Sequence, residues 1–551
     1  METKEKIIGA IKIAVDKAVE EGLLPGAELP EIQLEVPPEK SMGDFATNIA
    51  MQSARVMRQN PRKIAEIIAK NLEGDWLEKT DVAGPGFLNI YLKSNVLYDS
   101  FQKIYEKGDE FGKLPPKNAG KIQVEYVSAN PTGPLHVGHG RGAAFGSALV
   151  NLLRAAGYDV ESEYYINDAG NQMDNLAKSV NARYLELFGK DVTFPEDGYH
   201  GADIVDTAKR IKERDGDKYL TLSEDERLEI FKDLAYKEKL AVLKEDLEDF
   251  QVTFNVWFSE KTLHPNAVNA AAADLKAKGK AYDKDGALWL KSTEYGDDKD
   301  RVIFRDNGVP TYLAADIAYH KNKFERGFSK VINIWGADHH GYICRVKAAM
   351  TALGFDAKNL EILLMQMVSL YRGGELVKMS KRTGESITLR ELMEEVGVDA
   401  ARYFFLMRSA DSQLDFDLDL AKKESSENPV YYVQYAHARI SSILRNAPDA
   451  GLKLLDKPNF SLLKEEEEQD LIKKIASFEE EIDKAAFEYA PQRIAKYAYD
   501  LASVFHSFYN HSRIVGVGEE LGNARLALAA TTARVIRLAL KILGVSAPEK
   551  M

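Results

Sequence analysis

Two histidines spaced three residues apart are the side chains whose type and spacing best suit chemistry. His136 and His139 lie in PTGPLHVGHGRG, where glycines surround them and two prolines precede them. Proline disfavours helix in the residues before it, whereas the following GAAFGSALVNLLRAAG combines helix formers with apolar residues at helical spacing. The sequence therefore predicts that both histidines lie at the start of a helix.

This stretch alone leaves three interpretations of the pair open. As zinc ligands, the imidazoles need a third protein ligand, and no H-E-x-x-H pattern supplies one. As structural groups, they only cap the helix. In the third interpretation, small residues let a nucleotide approach a helix N-terminus, the helix dipole attracts phosphate, and the imidazoles stabilise charge that develops there.

A cationic segment further along the chain favours the third interpretation. The stretch ELVKMSKRTGESITL carries Lys378, Lys381 and Arg382, with Gly384 beyond them. By position alone, three cations this close indicate a solvated surface. However, HxGH at a helix start after the first strand of a sheet, together with K-M-S-K after a later strand, resembles the two signature motifs of the class I aminoacyl-tRNA synthetases.

The resemblance narrows to the arginyl-tRNA synthetase family and extends over essentially the whole chain. VEYVSANPTGPLHVGHGRGA resembles the extended HIGH region of that family, with valine at position 137 in place of isoleucine. VPTYLAADIAYH resembles its arginine-pocket segment, and IWGADHHGYICRVKAAMTALG resembles its second nucleotide-side motif. GDFATNIAM with GPGFLNIYL resembles the N-terminal domain of the family. NPVYYVQYAHARI with LGVSAPEKM resembles its anticodon-binding bundle, although the family commonly ends in P-E-R-M.

The resemblance implies an ATP-dependent ligase that activates L-arginine to arginyl-adenylate and transfers it to the 3′ end of tRNA(Arg), with activation requiring bound tRNA. Mg²⁺ would enter with ATP, and neither zinc nor another protein-held metal is expected. Positioning and charge stabilisation dominate this chemistry. The residues implied in catalysis are His136, His139, Lys378 and Lys381. Those implied in ATP binding are His136, Gly138, His139, Asp338, His340, Met379, Ser380 and Lys381.

The amino-acid pocket can also be argued from chemistry. A guanidinium group requires planar acceptors, preferably carboxylates, and a site built on that geometry rejects lysine and citrulline. The resemblance assigns the pocket to Glu125, Asn130, His136, Tyr312 and Asp316. Without a function, Tyr312 and Asp316 would be a surface pair one helical turn apart, and Glu125 a charge at a strand edge. A glutamate inside an apolar strand is costly without a partner, which favours a function for Glu125.

Contacts with tRNA are expected from aromatic and basic side chains, because aromatic rings suit unstacked anticodon bases. Tyr432 and Arg439 are about two helical turns apart and therefore share one helix face. Further candidates are Phe87 and Asn89 in the N-terminal region, and Tyr509 and Met551 in the C-terminal region. Core packing explains each of these side chains equally well.

Composition sets limits on these interpretations. The 551 residues include 73 Lys and Arg against 86 Asp and Glu, so the net charge of −13 requires any contact with nucleic acid to be a local basic patch. The single cysteine, Cys344, excludes a disulfide framework and a cysteine-based zinc site, and fits a reducing compartment. No apolar run is long enough to cross a membrane, and METKEKIIGAIKIAVDKAVEEG reads as an amphipathic helix. A cytoplasmic monomer without membrane contact is expected.

The pattern along the chain predicts three domains. Residues 1–115 alternate helical and extended patterns, which indicates an α+β domain, and the resemblance implies that this domain contacts tRNA. Residues 118–425 show the strand, turn and helix rhythm of a Rossmann-like parallel α/β catalytic domain. Within it we expect a charged helical insertion at about 171–250, the KMSK loop at 378–381, and later strands at GALWLKST, RVIFR, KVINIWGAD and EILLMQMVSL. Residues 426–551 have helical period throughout and predict a helical bundle, whose acidic run KEEEEQD reads as a solvated helix start. The resemblance implies that this bundle binds the anticodon.

Rival interpretations come from the same motifs. Another synthetase of this class, or a small nucleotidylyltransferase, also uses HIGH and KMSK. The helical C-terminal region argues against the nucleotidylyltransferase, and the acidic pocket argues for arginine among the synthetases. A tRNA-binding regulatory paralogue without catalysis has no reason to keep both histidines and both lysines.

Overall fold

The N-terminal part of the chain forms a small α+β domain, as its pattern predicts. The computed structural model describes residues 2–37, 39–377 and 387–551. One face of the first helix is buried, through Ile7, Ile11 and Val15. Three strands pair antiparallel in the order β1-β3-β2. The elements are α1 (Glu2–Glu20), β1 (Phe45–Thr47), α2 (Ile49–Met57), α3 (Pro61–Asn71), β2 (Leu77–Ala83), β3 (Phe87–Leu92) and α4 (Ser94–Lys107).

A five-stranded sheet forms the centre of the next region, and all its neighbouring strands are parallel. Its strand order is β11-β10-β4-β5-β6. This confirms the predicted parallel α/β fold, and KIQVEYVSA, GYDVESEYYIND and KVINIWGAD each contribute a strand. The strands are β4 (Lys121–Glu125), β5 (Asp159–Ile166), β6 (Val256–Ser259), β10 (Phe328–Gly336) and β11 (Leu360–Met365), and α5 (Val137–Ala155) follows β4.

The predicted insertion is helical and has its own hydrophobic core. It comprises α6 (Asn171–Glu186), α7 (Ala202–Asp215) and α8 (Glu224–Asp249), between two paired strands of the sheet. Tyr184, Ile204 and Phe231 are fully buried in its core cluster. Ser223 and Glu226 form a capping box at the start of α8. The insertion therefore interrupts the sequence of the sheet without disturbing its pairing.

Two predicted strands belong to a different sheet from the one expected. GALWLKST and RVIFR form β8 (Ala287–Leu290) and β9 (Arg301–Phe304), which pair antiparallel with each other and with β7 (Ala281–Lys284). EILLMQMVSL divides between β11 and β12 (Val368–Arg372), and β12 pairs with β13 (Glu375–Leu376) and β14 (Leu414–Asp417). The accompanying helices are α9 (Asn266–Ala277), α10 (Tyr312–Glu325), α11 (Ile343–Leu353), α12 (Leu389–Val396), α13 (Val398–Phe405) and α14 (Leu418–Ala421).

The described C-terminal residues after β14 are helical and contain no strand, as predicted. The helices are α15 (Pro429–Asn446), α16 (Glu466–Ala476), α17 (Phe478–Phe487), α18 (Gln492–His511) and α19 (Glu519–Leu543). The acidic run does start α16, but one of its members is not solvated. Glu468 is fully buried and pairs with Arg525 at 2.6 Å. No helix in the described ranges has the length and apolar character needed to cross a bilayer.

Packing divides the chain into two compact units. One unit contains Met1–Gly112, Arg439–Glu480 and Ser503–Val535, and the other contains Lys113–Ala438, Glu481–Ala502 and Ile536–Met551. Four of the C-terminal helices, α15, α17, α18 and α19, belong partly to each unit. The three-domain division at residues 115 and 425 therefore stays a prediction.

Candidate active site

The order of the parallel strands creates a crevice between β4 and β10. From β4 the chain proceeds to β5 on one side, whereas from β10 it proceeds to β11 on the other. Ligands of open α/β sheets bind outside the carboxyl ends of the strands, where the strand order reverses. Residues that directly follow β4 and β10 are thus in place to form a site.

His136 and His139 flank the beginning of the helix that follows β4, as the sequence predicts. His136 is the N-cap of α5. The backbone N–H of Gly138 donates to Nδ1 of His136 at 3.1 Å, and the N–H of His136 donates to Nδ1 of His139 at 3.3 Å. The two rings stack with their centroids 3.7 Å apart. Because each Nδ1 accepts a backbone N–H, a neutral ring carries its proton on Nε2 and can donate it to phosphate.

The glycines of α5 have different roles along the helix. A Cβ atom on Gly138 would lie 3.0 Å from the His136 ring, so glycine leaves room for that ring. A Cβ on Gly146 would lie 2.2 Å from the ring of Tyr126, at the end of β4. Gly142 has open space around it. Only some of these glycines are therefore available for the approach of a ligand.

Lys378, Met379, Ser380 and Lys381 lie outside the described residues, but the chain on both sides of 378–386 is placed. The N–H of Val377 donates to the carbonyl of Leu370 at 2.8 Å. After the segment, the N–H of Val137 donates to the carbonyl of Ile387 at 3.4 Å, and that of Leu389 to the carbonyl of Leu135 at 2.8 Å. The described chain therefore resumes directly beside the helix start that carries the histidines.

The nucleotide-side residues after β10 are exposed. Asp338 and His340 lie in a short 3-10 helix that begins directly after the strand. The Asp338 side chain is 82% exposed, and His339 approaches it to 3.7 Å. These side chains lie at the carboxyl end of β10, next to the strand that precedes α5.

Three carboxylates gather at the carboxyl ends of β4 and β6 and on α10. Glu125 ends β4, Glu260 follows β6, and Asp316 lies on α10, one turn after Tyr312. Glu125 and Glu260 are buried, and Asp316 is half-buried. The hydroxyl of Tyr342 donates to Oδ2 of Asp316 at 2.6 Å. This cluster provides the planar acceptors that a guanidinium group requires.

Electrostatics in the cluster favour the binding of a cation. Burial raises the pKa of Asp316 to about 7, with the carboxylates of Glu260 and Glu125 adding to the shift and the hydrogen bond from Tyr342 opposing it. Burial, together with Glu260 and Asp316, also raises the pKa of Tyr165, at the end of β5. A cationic ligand would relieve the repulsion, because it favours the ionised form of each carboxylate.

The predicted pocket residues differ in exposure. Tyr312 is 67% exposed and Asn130 is exposed as well, so both lie at the surface of the site. Between Glu125 and Asn130 the backbone is unusual, because Val127 and Ser128 have φ values of 69° and 43°. Left-handed conformation is rare for a β-branched residue and clusters at functional sites. Oγ of Ser128 donates to Oε1 of Glu125 at 2.9 Å, so this strained turn supports the carboxylate.

The sequence reasoning did not identify Glu260, Tyr342 or Lys323, although all three belong to this cluster. Asp168 fixes the chain on both sides of Glu260. Its carboxylate accepts hydrogen bonds from Oγ of Ser259 at 2.7 Å and from the N–H of Lys261 at 3.1 Å. The signal of Glu260 in the sequence is a charge directly after a strand, in VWFSE. Tyr342 stands in the quoted motif GADHHGY and was not singled out there.

In the N-terminal domain, the structure separates the two residues expected to contact tRNA. Phe87 is 38% exposed, whereas Asn89 is 4% exposed, although both lie on β3. A buried side chain supports its strand but presents no surface to a partner. Phe87 is therefore the member of this pair that can contact tRNA.

The C-terminal candidates lie on two helices and at the chain end. Tyr432 and Arg439 are both on α15, as predicted. Tyr432 packs against Tyr499 with ring centroids 5.0 Å apart, and Arg439 lies over the ring of Tyr509 at 4.6 Å. Met551 is 53% exposed. These aromatic contacts fix the rings in position but do not bury them fully.

Comparisons with known proteins decide the family. The sequence profile described as "Arginyl tRNA synthetase N terminal domain" matches residues 5–92, and "tRNA synthetases class I (R), catalytic domain" matches residues 102–419. The profile "DALR anticodon binding domain" matches residues 433–551. The chain belongs to the arginyl-tRNA synthetase family. Its activity is that of an arginine–tRNA ligase of class I, which decides against the nucleotidylyltransferase, the sister synthetases and a paralogue without catalysis.

Individual relatives agree over the full length. An arginine–tRNA ligase of Carboxydothermus hydrogenoformans is 52% identical, over 99% of this chain and 98% of its own. That of Bacillus subtilis is 50% identical, over 100% of this chain and 99% of its own. The solved arginyl-tRNA synthetase of Thermus thermophilus shares the fold with a TM-score of 0.76 at 23% identity, and the match covers 99% of this chain and 100% of that one. Arginine, ATP and tRNA(Arg) follow as partners of the family activity.

Proposed function

We propose that the crevice between β4 and β10 is the site where arginine and ATP react. The arginine carboxylate attacks the α-phosphate of ATP and pyrophosphate leaves. A terminal ribose hydroxyl of tRNA then attacks the carbonyl carbon of the adenylate, and AMP leaves. Neither step requires a protein nucleophile. The observation that supports this proposal is that one sheet edge brings together a carboxylate cluster and two stacked histidines at a helix start. Such a site catalyses by positioning and by charge stabilisation.

On the nucleotide side, His136 and His139 hold the phosphates through Nε2, and Gly138 lets them approach the backbone. Lys378 and Lys381, with Met379 and Ser380, close over the leaving pyrophosphate. This proposal is supported by the hydrogen bonds that place the chain after residue 386 next to the start of α5. Asp338 accepts hydrogen bonds from the adenosine ribose, with His340 beside it. An exposed ribose acceptor suits a ligand that enters and leaves in each cycle.

On the arginine side, Glu125 and Asp316 accept hydrogen bonds from the guanidinium, Tyr312 covers the pocket, and Asn130 and His136 bind the backbone part of the amino acid. Citrulline lacks the charge and lysine lacks the planar fork, so each leaves a buried carboxylate without its partner. Sites built on such hydrogen bonds discriminate strongly against analogues that cannot form them. Specificity therefore comes from the buried carboxylates.

The remaining partners follow the same reasoning. We propose that Mg²⁺ enters with ATP and is coordinated mainly by its phosphates, and that no zinc is required. Among the described residues, no group of three His, Cys, Asp or Glu side chains is placed to hold a metal ion. We propose a cytoplasmic monomer with a tRNA-contacting domain at 1–115, a catalytic domain at 118–425 and an anticodon-binding domain at 426–551. Phe87, Tyr432, Arg439, Tyr509 and Met551 are the proposed contacts with tRNA, whereas Asn89 is buried.

Activation of arginine is proposed to depend on bound tRNA. A tRNA held by the N-terminal and C-terminal domains could favour the competent arrangement of the KMSK segment. A few kcal/mol of differential binding are enough to raise a ~1% population to a majority.

Exchange of pyrophosphate into ATP, measured with each amino acid with and without a tRNA(Arg) transcript, tests the proposal. Among the amino acids, we expect only arginine to support exchange, and only when tRNA is present. Strong exchange without tRNA would contradict the coupling, and exchange with lysine or citrulline would contradict the pocket.

A further inference from the structure

Two cations at the C-terminal end of α10 pair with carboxylates on neighbouring strands of the parallel sheet, Lys323 in the interior and Arg326 at the partly exposed C-cap. Lys323 is fully buried, and its Nζ pairs with Oε2 of Glu125 on β4. Arg326, one turn further along the helix, pairs with Glu163 on β5 at 2.6 Å. Glu125 and Glu163 are register partners on adjacent strands. Each carboxylate therefore has its own cation, and only the first pair includes a residue of the proposed arginine pocket.

Lys323 also reaches Asp316, through two intermediate side chains. Its Nζ donates to Oδ1 of Asn333 at 2.8 Å, and Nδ2 of Asn333 donates to Nε2 of His320 at 2.7 Å. Nδ1 of His320 donates to the backbone carbonyl of Asp316 at 2.7 Å. Burial, reinforced by the charge of Lys323, lowers the pKa of His320 to about 3, so the ring is neutral and keeps this direction of hydrogen bonding. One hydrogen-bond network thus runs from Lys323 to the carboxylate of Glu125 and to the backbone carbonyl of Asp316.

We propose that Lys323 is a positioning residue for arginine recognition, which orients Glu125 and offsets the repulsion among the pocket carboxylates without touching the substrate. This inference rests on the proposed function, in which Glu125 and Asp316 bind the guanidinium. With one oxygen of Glu125 accepting from Ser128 and the other from Lys323, the carboxylate plane is fixed. A fixed plane is what paired hydrogen bonds to a guanidinium demand.

The charge of Lys323 has a second consequence for Asp316. Lys323 is the nearby cation that opposes the effect of the carboxylates on Asp316. The titratable and charged groups that face Asp316 are Glu125 on β4, Tyr165 on β5, Glu260 after β6, His320 and Lys323 on α10, and Tyr342 after β10. Arg345 lies over the ring of Tyr342, and His264 lies beside Glu260. Removing Lys323 takes away the cation that opposes the carboxylates at Asp316. Asp316 should then ionise at higher pH, and arginine should bind only at higher pH.

The test is tRNA-dependent pyrophosphate exchange by the full-length Lys323→Met variant, followed over pH. We expect the KM for arginine to rise ~10-fold or more at neutral pH, because a partner of a desolvated charge is lost. We also expect the midpoint of the pH profile of kcat/KM for arginine to move upward by ~1 unit. The KM for ATP should not change. An unaltered arginine KM and pH midpoint would overturn the proposal.

Arg326→Met is the control, since it removes the neighbouring cation at the C-cap of the same helix, which pairs with Glu163 rather than with a pocket carboxylate. It should lower the unfolding temperature but leave the pH midpoint for arginine unchanged. Lys323→Arg keeps the charge, so its midpoint should stay at the wild-type value even if the larger side chain raises the KM. If Arg326→Met shifts the midpoint as much as Lys323→Met, the effect is general destabilisation and the proposal is wrong.

A double-variant cycle separates the positioning role from the proposed pocket. Glu125→Gln with Lys323→Met removes both charges of the pair, so it leaves no buried charge without a partner and should fold. If Lys323 acts through Glu125, the double variant loses no more arginine affinity than Glu125→Gln alone. Fully additive losses would overturn the proposal. An unchanged arginine KM in Glu125→Gln would instead overturn the proposed function of Glu125.

Discussion

The two sides of the proposed active site are built in opposite ways. On the arginine side, Glu125 and Glu260 are buried and half-buried Asp316 lies with them on regular elements, held by neighbouring hydrogen bonds. On the nucleotide side, Asp338 is 82% exposed, and the two lysines stand in a segment outside the described residues. The two sides nevertheless share strand β4. It ends at Glu125 on the arginine side and leads into α5, whose start carries the histidines of the nucleotide side.

This difference matches what each substrate requires. Arginine must be distinguished from similar amino acids, which demands acceptors that are fixed before binding and costly to leave unpaired. ATP is recognised by its phosphates, and its chemistry needs cations that arrive as charge develops. Specificity is therefore expected from the buried side and rate from the exposed side. Variants on the two sides should affect different kinetic constants.

The largest effect is expected from the buried side. Asp316→Asn removes a charge that faces the guanidinium, and it should weaken arginine binding by ~2–4 kcal/mol, the range for breaking a desolvated charge pair. Steady-state exchange with tRNA present measures this as a rise in the arginine KM. The KM for ATP should stay as in the wild type. Equal arginine constants in the variant and the wild type would remove Asp316 from the pocket.

On the nucleotide side, Lys381→Ala should lower kcat for adenylate formation by ~10², because Lys381 is proposed to act on the leaving pyrophosphate. Binding of arginine and tRNA should change little. Transfer from preformed adenylate to tRNA, measured in a single turnover, should be much less affected than exchange. A variant that forms adenylate at the normal rate would show that the lysines are only a solvated surface.

A third prediction concerns the helix that both sides share. Gly146→Ala places a Cβ atom 2.2 Å from the ring of Tyr126, so α5 must move away from β4. We expect the free energy of unfolding to fall by ~1–3 kcal/mol, the usual cost of overpacking. The KM values for ATP and arginine should rise together, because the helix start and Glu125 are displaced relative to each other.

Gly142→Ala is the matched control on the same helix. Its Cβ meets open space, so alanine should raise the free energy of unfolding by ~0.5–1 kcal/mol through helix propensity. Chemical denaturation of both variants measures the contrast. A stable Gly146→Ala protein with unchanged KM values would mean that α5 is not fixed by this contact.

Much of this organisation follows from local sequence. The helix start at His136 and His139, the strand at KIQVEYVSA and the helical insertion are local patterns of turn residues and periodicity, and the structure confirms them. Pairing of strands is not local, so GALWLKST and RVIFR were recognised as strands but belong to a separate antiparallel sheet. For the same reason, nothing in the sequence of helix α10 indicates that Lys323 pairs with Glu125, which lies far away in the sequence on strand β4.

The C-terminal helices show a similar limit of sequence periodicity. Arg402 on α13 donates to the carbonyl of Leu543 at 2.9 Å and to Ser147 Oγ on α5 at 2.8 Å. The hydroxyl of Tyr403 donates to the carbonyl of Ala495 at 2.8 Å. Truncation after residue 425 would therefore remove hydrogen-bond partners of the catalytic unit itself. The role of tRNA in activation is better tested on the full chain, with and without tRNA.

The smallest expected effect is a pH dependence that belongs to arginine and not to ATP. Burial raises the pKa of Asp316 to about 7, so the carboxyl group is increasingly protonated and neutral below that pH. A neutral Asp316 cannot pair its charge with a guanidinium, which stays protonated. We therefore expect kcat/KM for arginine to fall ~10-fold per pH unit below this value, as for loss of a single ionised group. The KM for ATP, measured over the same pH range, is the control.

The same shift predicts how arginine stabilises the protein. Because the pKa of Asp316 is higher in the folded chain than the ordinary 3.8, its contribution to folding is most favourable at low pH and is lost as pH rises through about 7. Bound arginine compensates for the ionised carboxylate above that pH. Arginine should therefore raise the unfolding temperature more at pH 8 than at pH 6, whereas the shift caused by ATP should show no such increase. An arginine effect that is equal at both pH values would mean that Asp316 does not titrate in this range, and the contrast between the two sides would then rest on exposure alone.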